Sequence, residues 1–277
     1  MRVNPTKKAV RQSNFYHALF FLPRKKREAV AVLYAFARLV DDIVDEPGVK
    51  SEKEKELQFW REELVRCYQG KAQTELGRDL SGMVRSFQLT QTYFLELIDG
   101  VAIDLTKNRY ATYEELCRYC YGVAGTVGLL CMEIFGLRDA RAQRYAKALG
   151  QAFQLTNILR DVGTDLKMGR VYLPQEDLNR FGLSEEGLKT EREGAKFSQL
   201  ILFEAERAKA CFQEADSLLN PKEKSQVIAS RIMAVVYYKI LLKVIRSPLS
   251  VLRGKVSVSP FMKIFLVLKT WLNDKCS

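Results

Sequence analysis

Apolar residues recur along the chain with a helical period, and short polar segments interrupt them. From Arg24 to Asp45 the apolar residues fall on most faces, which predicts a helix buried in the interior. Glu46-Pro47-Gly48 predicts its end. Further helices are expected at Ser51–Gly70, 75–105, 112–136, Arg138–Leu166, 195–219, 222–247 and 260–273. Strand-like alternation is scarce, so the pattern predicts an all-α protein.

Breaks in this pattern are short. Residues 1–23 hold a polar lead followed by the aromatic segment NFYHALFFLP, and LKMGRVYLP interrupts the helical text at 166–174. Neither a shift in composition nor a linker suggests a domain boundary, and no repeat of the length found in solenoids is present. We therefore expect residues 1–277 to form a single all-helical domain.

A stripe of polar residues follows one face of the Arg24–Asp45 helix. Tyr34, Arg38, Asp41 and Asp45 are spaced 4, 3 and 4 residues apart, which places all four within an arc of roughly 60°. Asp42 flanks this stripe.

A second stripe has nearly the same spacing. Gln154, Asn157, Asp161 and Asp165 are 3, 4 and 4 residues apart, and Arg160 flanks them. They again share an arc of roughly 60°, and the opposite face is apolar: Leu155, Ile158, Leu159, Val162 and Leu166.

The composition of the two stripes favours a site for metal or phosphate. Ionised carboxylates are costly to bury unless they are paired or bound to metal. A solvated helix face normally carries Lys and Glu, which both stripes lack, and a buried ion pair of Arg38 would explain only the first. Mg²⁺ takes oxygen ligands from one or two carboxylates and from substrate phosphates. Two facing stripes therefore predict Mg²⁺ ions around a diphosphate, with Arg38 and Arg160 contacting phosphate oxygens.

Departure of a diphosphate would leave a carbocation, which needs a dry cavity lined by aromatic rings. Each available aromatic residue is explained equally well as ordinary core. The candidates are Phe15, Tyr16, Phe20, Phe21, Phe36, Tyr119, Tyr121 and Phe153.

Charge and cysteine content narrow the partners. The formal charge of +11, from 44 basic and 33 acidic residues, attracts polyanions. The basic residues are dispersed and no nucleic-acid-binding motif is present, so we expect no nucleic-acid partner. Six scattered cysteines and a polar start favour reduced thiols in the cytoplasm. A lone CxxC at Cys117 and Cys120, with a single histidine, does not predict a zinc site.

The segment Phe261–Leu272 is the longest apolar stretch near the C-terminal end of the sequence, and it contains Lys263 and Lys269. It is too short to span a bilayer. It predicts either a buried terminal helix or a helix that rests on a membrane surface, which would place the protein peripherally on the inner face.

Four strings resemble the squalene/phytoene synthase family in sequence, order and separation. They are YAFARLVDDIVDE (34–46), YCYGVAGTVG (119–128), QLTNILRDVGTD (154–165) and GRVYLP (169–174). The resemblance covers about residues 13–190 and continues more weakly to the end. It implies the all-helical isoprenoid synthase fold of class I terpene synthases, with the helices around a central cavity.

The resemblance also implies roles for individual residues. Asp41 and Asp45 would form the first metal-binding pair, and Asp161 and Asp165 the second, aided by Asn157. These four aspartates and Tyr119, which would lie near the reacting carbons, form the expected catalytic group. The expected substrate-binding residues are Ser13, Asn14, Tyr34, Arg38, Asp42, Gln154, Asn157, Arg160 and Tyr237.

Three further positions matter to this comparison. Asp104 would either support the site or serve as an ordinary turn residue. Ser13-Asn14 stands where family members often have a pair of hydroxyl residues, and Lys255 stands where relatives commonly have arginine. Lysine keeps the charge but lacks the planar fork of arginine. GRVYLP would belong to a lid over the pocket.

Within the family, the chain is most similar to bacterial squalene-type members, including presqualene diphosphate synthases. The implied reaction joins two farnesyl diphosphates head to head with Mg²⁺, and NADPH would be needed only if the product is reduced to squalene. Three alternatives remain: phytoene synthesis from two geranylgeranyl diphosphates, head-to-tail elongation, and a non-catalytic helical assembly factor. The sequence leaves the chain length, the proton acceptor and the oligomeric state open.

Overall fold

The structure is a computed structural model that describes residues 16–189, 194–254 and 256–275. The predicted substrate-binding residues Ser13 and Asn14, and also Lys255, lie outside the described residues. The prediction of one domain over 1–277 stays a prediction.

Helices account for nearly all regular structure in these ranges. The long ones are α1 Arg24–Asp45, α2 Lys50–Tyr68, α3 Glu75–Phe87, α4 Gln91–Ala102, α5 Tyr113–Cys120, α6 Thr126–Phe135, α7 Ala140–Lys167, α8 Gly194–Ser217, α9 Ile228–Arg246 and α10 Pro260–Lys275. Shorter helical segments are Tyr16–Leu19, Ile103–Leu105, Gln175–Arg180, Glu185–Lys189, Pro221–Lys224 and Ser250–Arg253. The all-α prediction is confirmed, since the extended pairing in the described ranges amounts to one isolated bridge, Arg109 to Val171.

Most predicted helix bounds agree with the structure, but 75–105 is not one helix. Gln88 has a left-handed backbone with φ of 52° and separates α3 from α4. A residue distant in sequence stabilises this break. The buried Glu133 carboxylate accepts hydrogen bonds from Thr90 N and Thr90 Oγ1 at 2.8 and 2.6 Å. The predicted 222–247 helix also begins later, at Ile228.

Helix direction brings the two polar stripes to the same end of the bundle. The helices that carry the stripes, α1 and α7, run in the same direction. Residues early in α1 and α7, such as Val30 and Tyr145, line one apolar cavity, and residues late in both, such as Asp41 and Asp161, line one polar pocket. The carboxylates therefore emerge together at the C-terminal ends of α1 and α7.

Two glycines set the contact between α4 and the π-helical turn Tyr121–Gly125. A Cβ built on Gly100 would lie 2.7 Å from Gly122 Cα, so the two backbones touch. This contact fixes the chain immediately before Asp104 against the chain immediately after Tyr119. Both side chains reach the same pocket.

Gly163 lies inside α7, which continues through it to Lys167. Lack of a side chain here permits close packing: a Cβ would lie 2.5 Å from Val251 O and 2.7 Å from Leu252 O. Gly163 thus lets the Ser250–Arg253 turn lie against the helix that carries the second stripe.

No helix in the described ranges is both long and apolar enough to cross a membrane.

Gly163→Ala is expected to lower the free energy of unfolding by about 1–3 kcal/mol, because the added methyl group must displace main-chain oxygens. That loss corresponds to a fall in Tm of roughly 2–4 °C per kcal/mol, measurable by circular dichroism. Gly82→Ala is the matched control, because nothing lies within 4 Å of a Cβ at this exposed position in α3. Alanine should keep or raise Tm there. Equal Tm values for the two variants would contradict the close packing at Gly163.

Candidate active site

A polar pocket of about 560 Å³ opens at the end of the bundle and continues into an apolar cavity of about 280 Å³. Residues shared by the two walls mark the junction: Tyr34, Arg38, Asp41, Tyr119, Gln154, Asn157 and Tyr237. The charged residues of the polar part are Arg38, Asp41, Asp45, Asp104, Arg160, Asp161, Asp165, Arg170 and Lys263.

The structure brings the sequence-predicted residues together with one exception. Within the described ranges, every predicted metal, catalytic or substrate residue except Asp42 lines the polar pocket. Asp42 instead forms an ion pair with Arg38, in which Arg38 Nη2 lies 2.5 Å from Asp42 Oδ1. Its contact with the site is therefore indirect, since it fixes the position of the Arg38 guanidinium.

The first stripe holds its charges in mixed pairs. Arg38 Nη1 also contacts Asp41 Oδ2 at 3.2 Å, and Arg170 Nη1 contacts Asp45 Oδ1 at 2.6 Å. About half of the Asp41 side chain, 48%, is accessible to pocket water, yet protein surrounds the carboxylate on most sides. This desolvation and the nearby charge of Asp45 raise the pKa of Asp41 to about 6, although Arg38 opposes the shift.

The second stripe repeats this arrangement. The Arg160 guanidinium binds the Asp161 carboxylate through two N–H groups, with Nε to Oδ1 at 2.8 Å. No ion pair to Asp165 forms within the described ranges. Desolvation and the neighbouring Asp161 charge raise the pKa of Asp165 to about 7, with Arg170 in partial opposition.

Asn157 presents an unsatisfied oxygen to the pocket. Its Nδ2 donates to Gln154 Oε1 at 3.2 Å, whereas its Oδ1 is buried and has no hydrogen-bond partner. Buried polar atoms are normally satisfied, so this amide oxygen is poised for a ligand.

Asp104 links two tyrosines beneath the carboxylates. Its Oδ2 accepts from Tyr119 OH at 2.8 Å and its Oδ1 accepts from Tyr172 OH at 3.0 Å. The two rings stack with centroids 5.3 Å apart. Burial raises the pKa of Tyr119 well above its ordinary value, and the nearby Asp104 charge adds to this. Tyr119 is therefore a neutral phenol whose proton points at Asp104, which leaves its oxygen lone pairs as acceptors.

Arg170 and Tyr172 line the pocket but are not among the residues predicted for it, although they belong to the family-like string GRVYLP. The backbone holds this segment in place, because Val171 N donates to Asn108 O at 3.0 Å and Arg109 Nη1 donates to Gly169 O at 2.7 Å. With Val171 and Tyr172 buried, the segment forms part of the pocket wall. A basic and an aromatic residue within a quoted string were the available signal.

Lys263 is a third site residue that the sequence reasoning placed elsewhere, in the terminal apolar segment. It lies on α10 and lines the polar pocket. Burial and the charge of Arg160 lower its pKa. The position of Lys263 in the sequence, about 100 residues after the second stripe, does not predict that it lines the pocket, because tertiary packing brings it there.

The donor set fits Mg²⁺ that is shared with a phosphate ligand. In the part of the chain that the structure describes, no group of three or more Asp, Glu, His or Cys residues could hold a metal ion alone. Mg²⁺ does not require one, because it takes one or two carboxylates and completes its shell with water and phosphate oxygens. Carboxylates on two facing helices and the free Asn157 oxygen supply such partial ligand sets.

Known proteins match most of the length of this chain. The model of the squalene/phytoene synthase family matches residues 9–262. Presqualene diphosphate synthase of Rhodopseudomonas palustris is 36% identical over 258 residues, covering 93% of this chain and 92% of that protein. The 15-cis-phytoene synthase of a Synechocystis species is 37% identical over 214 residues, covering 73% of this chain and 64% of that protein. The chain thus spans slightly less than two thirds of this second relative.

Among solved structures, a dehydrosqualene synthase in complex with a ligand superposes with a TM-score of 0.86. The match has 29% sequence identity and covers 99% of this chain and 96% of that one. The predicted arrangement of helices around a central cavity is therefore confirmed.

Asp165→Asn is expected to stabilise the metal-free protein at about pH 8 and to give no advantage near pH 4. Burial holds the pKa of Asp165 at about 7, whereas a carboxyl group in an unfolded chain titrates near 4. Between these values the folded protein keeps a proton that the unfolded chain releases, so the stability of the wild type falls as pH rises. Thermal unfolding in chelator-treated buffer measures the effect. A difference in Tm that does not change with pH would contradict it.

Proposed function

Because this chain belongs to the squalene/phytoene synthase family of prenyltransferases, which condense prenyl groups head to head, we propose that it joins two farnesyl diphosphates into presqualene diphosphate. One observation carries the proposal. Two carboxylate stripes and two arginines surround the opening of an apolar cavity, so a diphosphate at the opening and a hydrocarbon chain in the cavity are accommodated together.

The polar residues bind and orient the diphosphate. Asp41, Asp45, Asp161 and Asp165 would supply carboxylate oxygens to hold Mg²⁺, and Asn157 would supply its unpaired amide oxygen. Mg²⁺, when bound, neutralises the departing pyrophosphate. Arg38 and Arg160, each held by an adjacent aspartate, keep further N–H groups available for phosphate oxygens.

Around the diphosphate, Tyr34, Gln154 and Tyr237 lie at the junction between the polar pocket and the cavity. They therefore contact the substrate where its diphosphate meets its first carbons. Lys263 and Arg170 add positive charge to the wall of the polar pocket.

Tyr119 and Asp104 handle the proton. After one farnesyl group ionises, its C1 bonds to C2 of the second, which leaves a cation at C3. Closing the cyclopropane forms the C1–C3 bond and releases a proton from C1. The Tyr119 oxygen accepts that proton while its own proton passes to Asp104 along the existing 2.8 Å hydrogen bond.

The depth of the cavity supports a fifteen-carbon substrate. Along α1, Asp41 lies eleven residues above Val30, or about 16 Å of helix. At the floor, Val30 is joined by Met132 and Tyr145, and one turn lower Lys26 Nζ ties α1 to Phe135 O at 2.8 Å. An extended chain advances roughly 1.2 Å per bond, so a farnesyl chain of twelve main-chain carbons needs about 13 Å and a geranylgeranyl chain of sixteen about 18 Å.

Phytoene synthesis from two geranylgeranyl diphosphates is the second candidate. The similarity to 15-cis-phytoene synthases, 37% identity for one of them, favours it. Reduction to squalene would add NADPH to the requirements. Nine charged side chains line the polar pocket. A non-catalytic assembly factor would not require such a site, so this observation favours an enzyme.

Purified protein with Mg²⁺ and farnesyl diphosphate is expected to release pyrophosphate and form a thirty-carbon diphosphate, with squalene appearing only if NADPH is used. Asp41→Asn or Asp161→Asn should lower kcat by about a hundredfold or more while the helical circular-dichroism signal persists. Asp216→Asn removes an exposed carboxylate on α8 and serves as the matched control. Mass spectrometry identifies the product.

The opposite outcomes are informative. Full activity in a folded Asp41→Asn variant would refute the assignment of the metal site. No turnover with either fifteen- or twenty-carbon diphosphates would favour the assembly factor.

Met132→Ala is expected to raise the use of geranylgeranyl relative to farnesyl diphosphate by about tenfold. The substitution removes the Met132 side chain beyond Cβ and so makes the cavity deeper at its floor. Met83→Ala is the control, since Met83 is buried but lines neither the pocket nor the cavity. The ratio of kcat/KM values for the two substrates is the measurement. An unchanged ratio would show that the floor lies elsewhere.

A further inference from the structure

The terminal helix α10 has one face that the rest of the protein does not cover. Five large apolar side chains on this face are between 43% and 86% exposed: Phe261, Ile264, Phe265, Leu268 and Leu272. Their spacing of 3, 1, 3 and 4 residues places them within an arc of roughly 100°. Val267 and Thr270 lie on the opposite, buried side. We name these five residues the α10 face.

The sequence that leads into α10 and forms most of it is basic, and its first acidic residue is Asp274, near the end of the helix. Residues 228–273, which include α9 and most of α10, contain eight Lys or Arg residues and no Asp or Glu. The whole chain has 33 acidic residues in 277, so an acid-free stretch of this length departs clearly from the average. An apolar face with basic residues beside it is the pattern of a helix that lies in the interface of an anionic membrane.

We propose that the α10 face docks the protein on an anionic lipid bilayer. A second copy of this chain fits the surface less well. A symmetric dimer would bring the same face of each copy together, and the acid-free segments would repel each other. Phe21 extends the surface, because its ring packs on Trp271 of α10 with centroids 5.7 Å apart, and the adjacent Phe20 is exposed.

Docking by this face would place the catalytic opening beside the membrane. Lys263 on the inner side of α10 and residues 256–258 just before the helix line the polar pocket. The same helix therefore forms a wall of the site and carries the exposed face. If the proposed function holds, the prenyl chains of substrate and product could pass between bilayer and cavity without crossing bulk water.

Binding to vesicles tests the proposal without depending on turnover. The full chain is sedimented with vesicles of phosphatidylglycerol and phosphatidylcholine in equal amounts, and with phosphatidylcholine alone. Wild-type protein should bind the anionic vesicles, and raised salt should weaken the binding. The double variant Phe261→Ser, Phe265→Ser should lose at least about tenfold in partition coefficient, because each ring no longer leaves water.

Control variants distinguish binding by the α10 face from non-specific hydrophobic binding by other exposed residues. The double variant Val49→Ser, Phe59→Ser removes two exposed apolar residues from the region of α2 and should bind as the wild type does. Lys269→Glu keeps the apolar face but should reduce binding to the anionic vesicles. Circular dichroism and Tm establish that each variant folds, and turnover of farnesyl diphosphate in detergent reports on the proposed function separately.

Two results would overturn the proposal. One is equal vesicle binding by the wild type and the Phe261→Ser, Phe265→Ser variant. The other is a wild-type dimer in analytical ultracentrifugation that this variant dissociates, together with no binding to anionic vesicles, which would make the α10 face an interface between copies.

Discussion

The structure of the candidate site depends on the placement of several carboxylates close together in a partly desolvated pocket. Carboxylates from the ends of α1 and α7 share one pocket, and desolvation with mutual repulsion disfavours the ionised forms of Asp41 and Asp165. Arg38, Arg170 and Arg160 each pair with an acid and offset part of this penalty. Asp165 gains no such partner in the described ranges, and its pKa rises to about 7, compared with about 6 for Asp41. A divalent cation would relieve this remaining repulsion, so the free pocket is already organised for metal and diphosphate.

The rest of the bundle holds this crowded pocket in place. The shared direction of α1 and α7 brings their C-terminal ends together, and tight backbone contacts keep them there. The contact between Gly100 and Gly122 fixes the position of Asp104 relative to Tyr119. Gly163 allows the Ser250–Arg253 turn to pack against the helix that carries the second stripe. These contacts lie outside the pocket, yet they decide which groups meet inside it. Substitutions at such positions would act on the chemistry through geometry.

What the sequence could predict follows from the range of the interactions involved. A stripe on one helix is a local property, so the 3.6-residue period placed Asp41 with Asp45 and Asp161 with Asp165 on common faces. The break at Gln88 depends on Glu133, more than forty residues away, and no local pattern contains it. Arg170, Tyr172 and Lys263 likewise reach the pocket through tertiary packing. Asp104 had two interpretations, and its two tyrosine hydrogen bonds favour support of the site over an ordinary turn.

The choice of substrate depends on a different part of the molecule from the chemistry. Sequence identity separates the candidates poorly, since a presqualene diphosphate synthase and a phytoene synthase match at 36% and 37%. Most of the family-like strings contribute residues to the opening of the pocket, where either proposed reaction would bind the same diphosphate group. Discrimination between fifteen and twenty carbons requires contact with the far end of the prenyl chain, which the floor around Val30, Met132 and Tyr145 would provide in the described ranges. Under the proposed function, a few side chains at that depth would therefore determine chain-length specificity, whereas the charged motifs would determine the type of reaction.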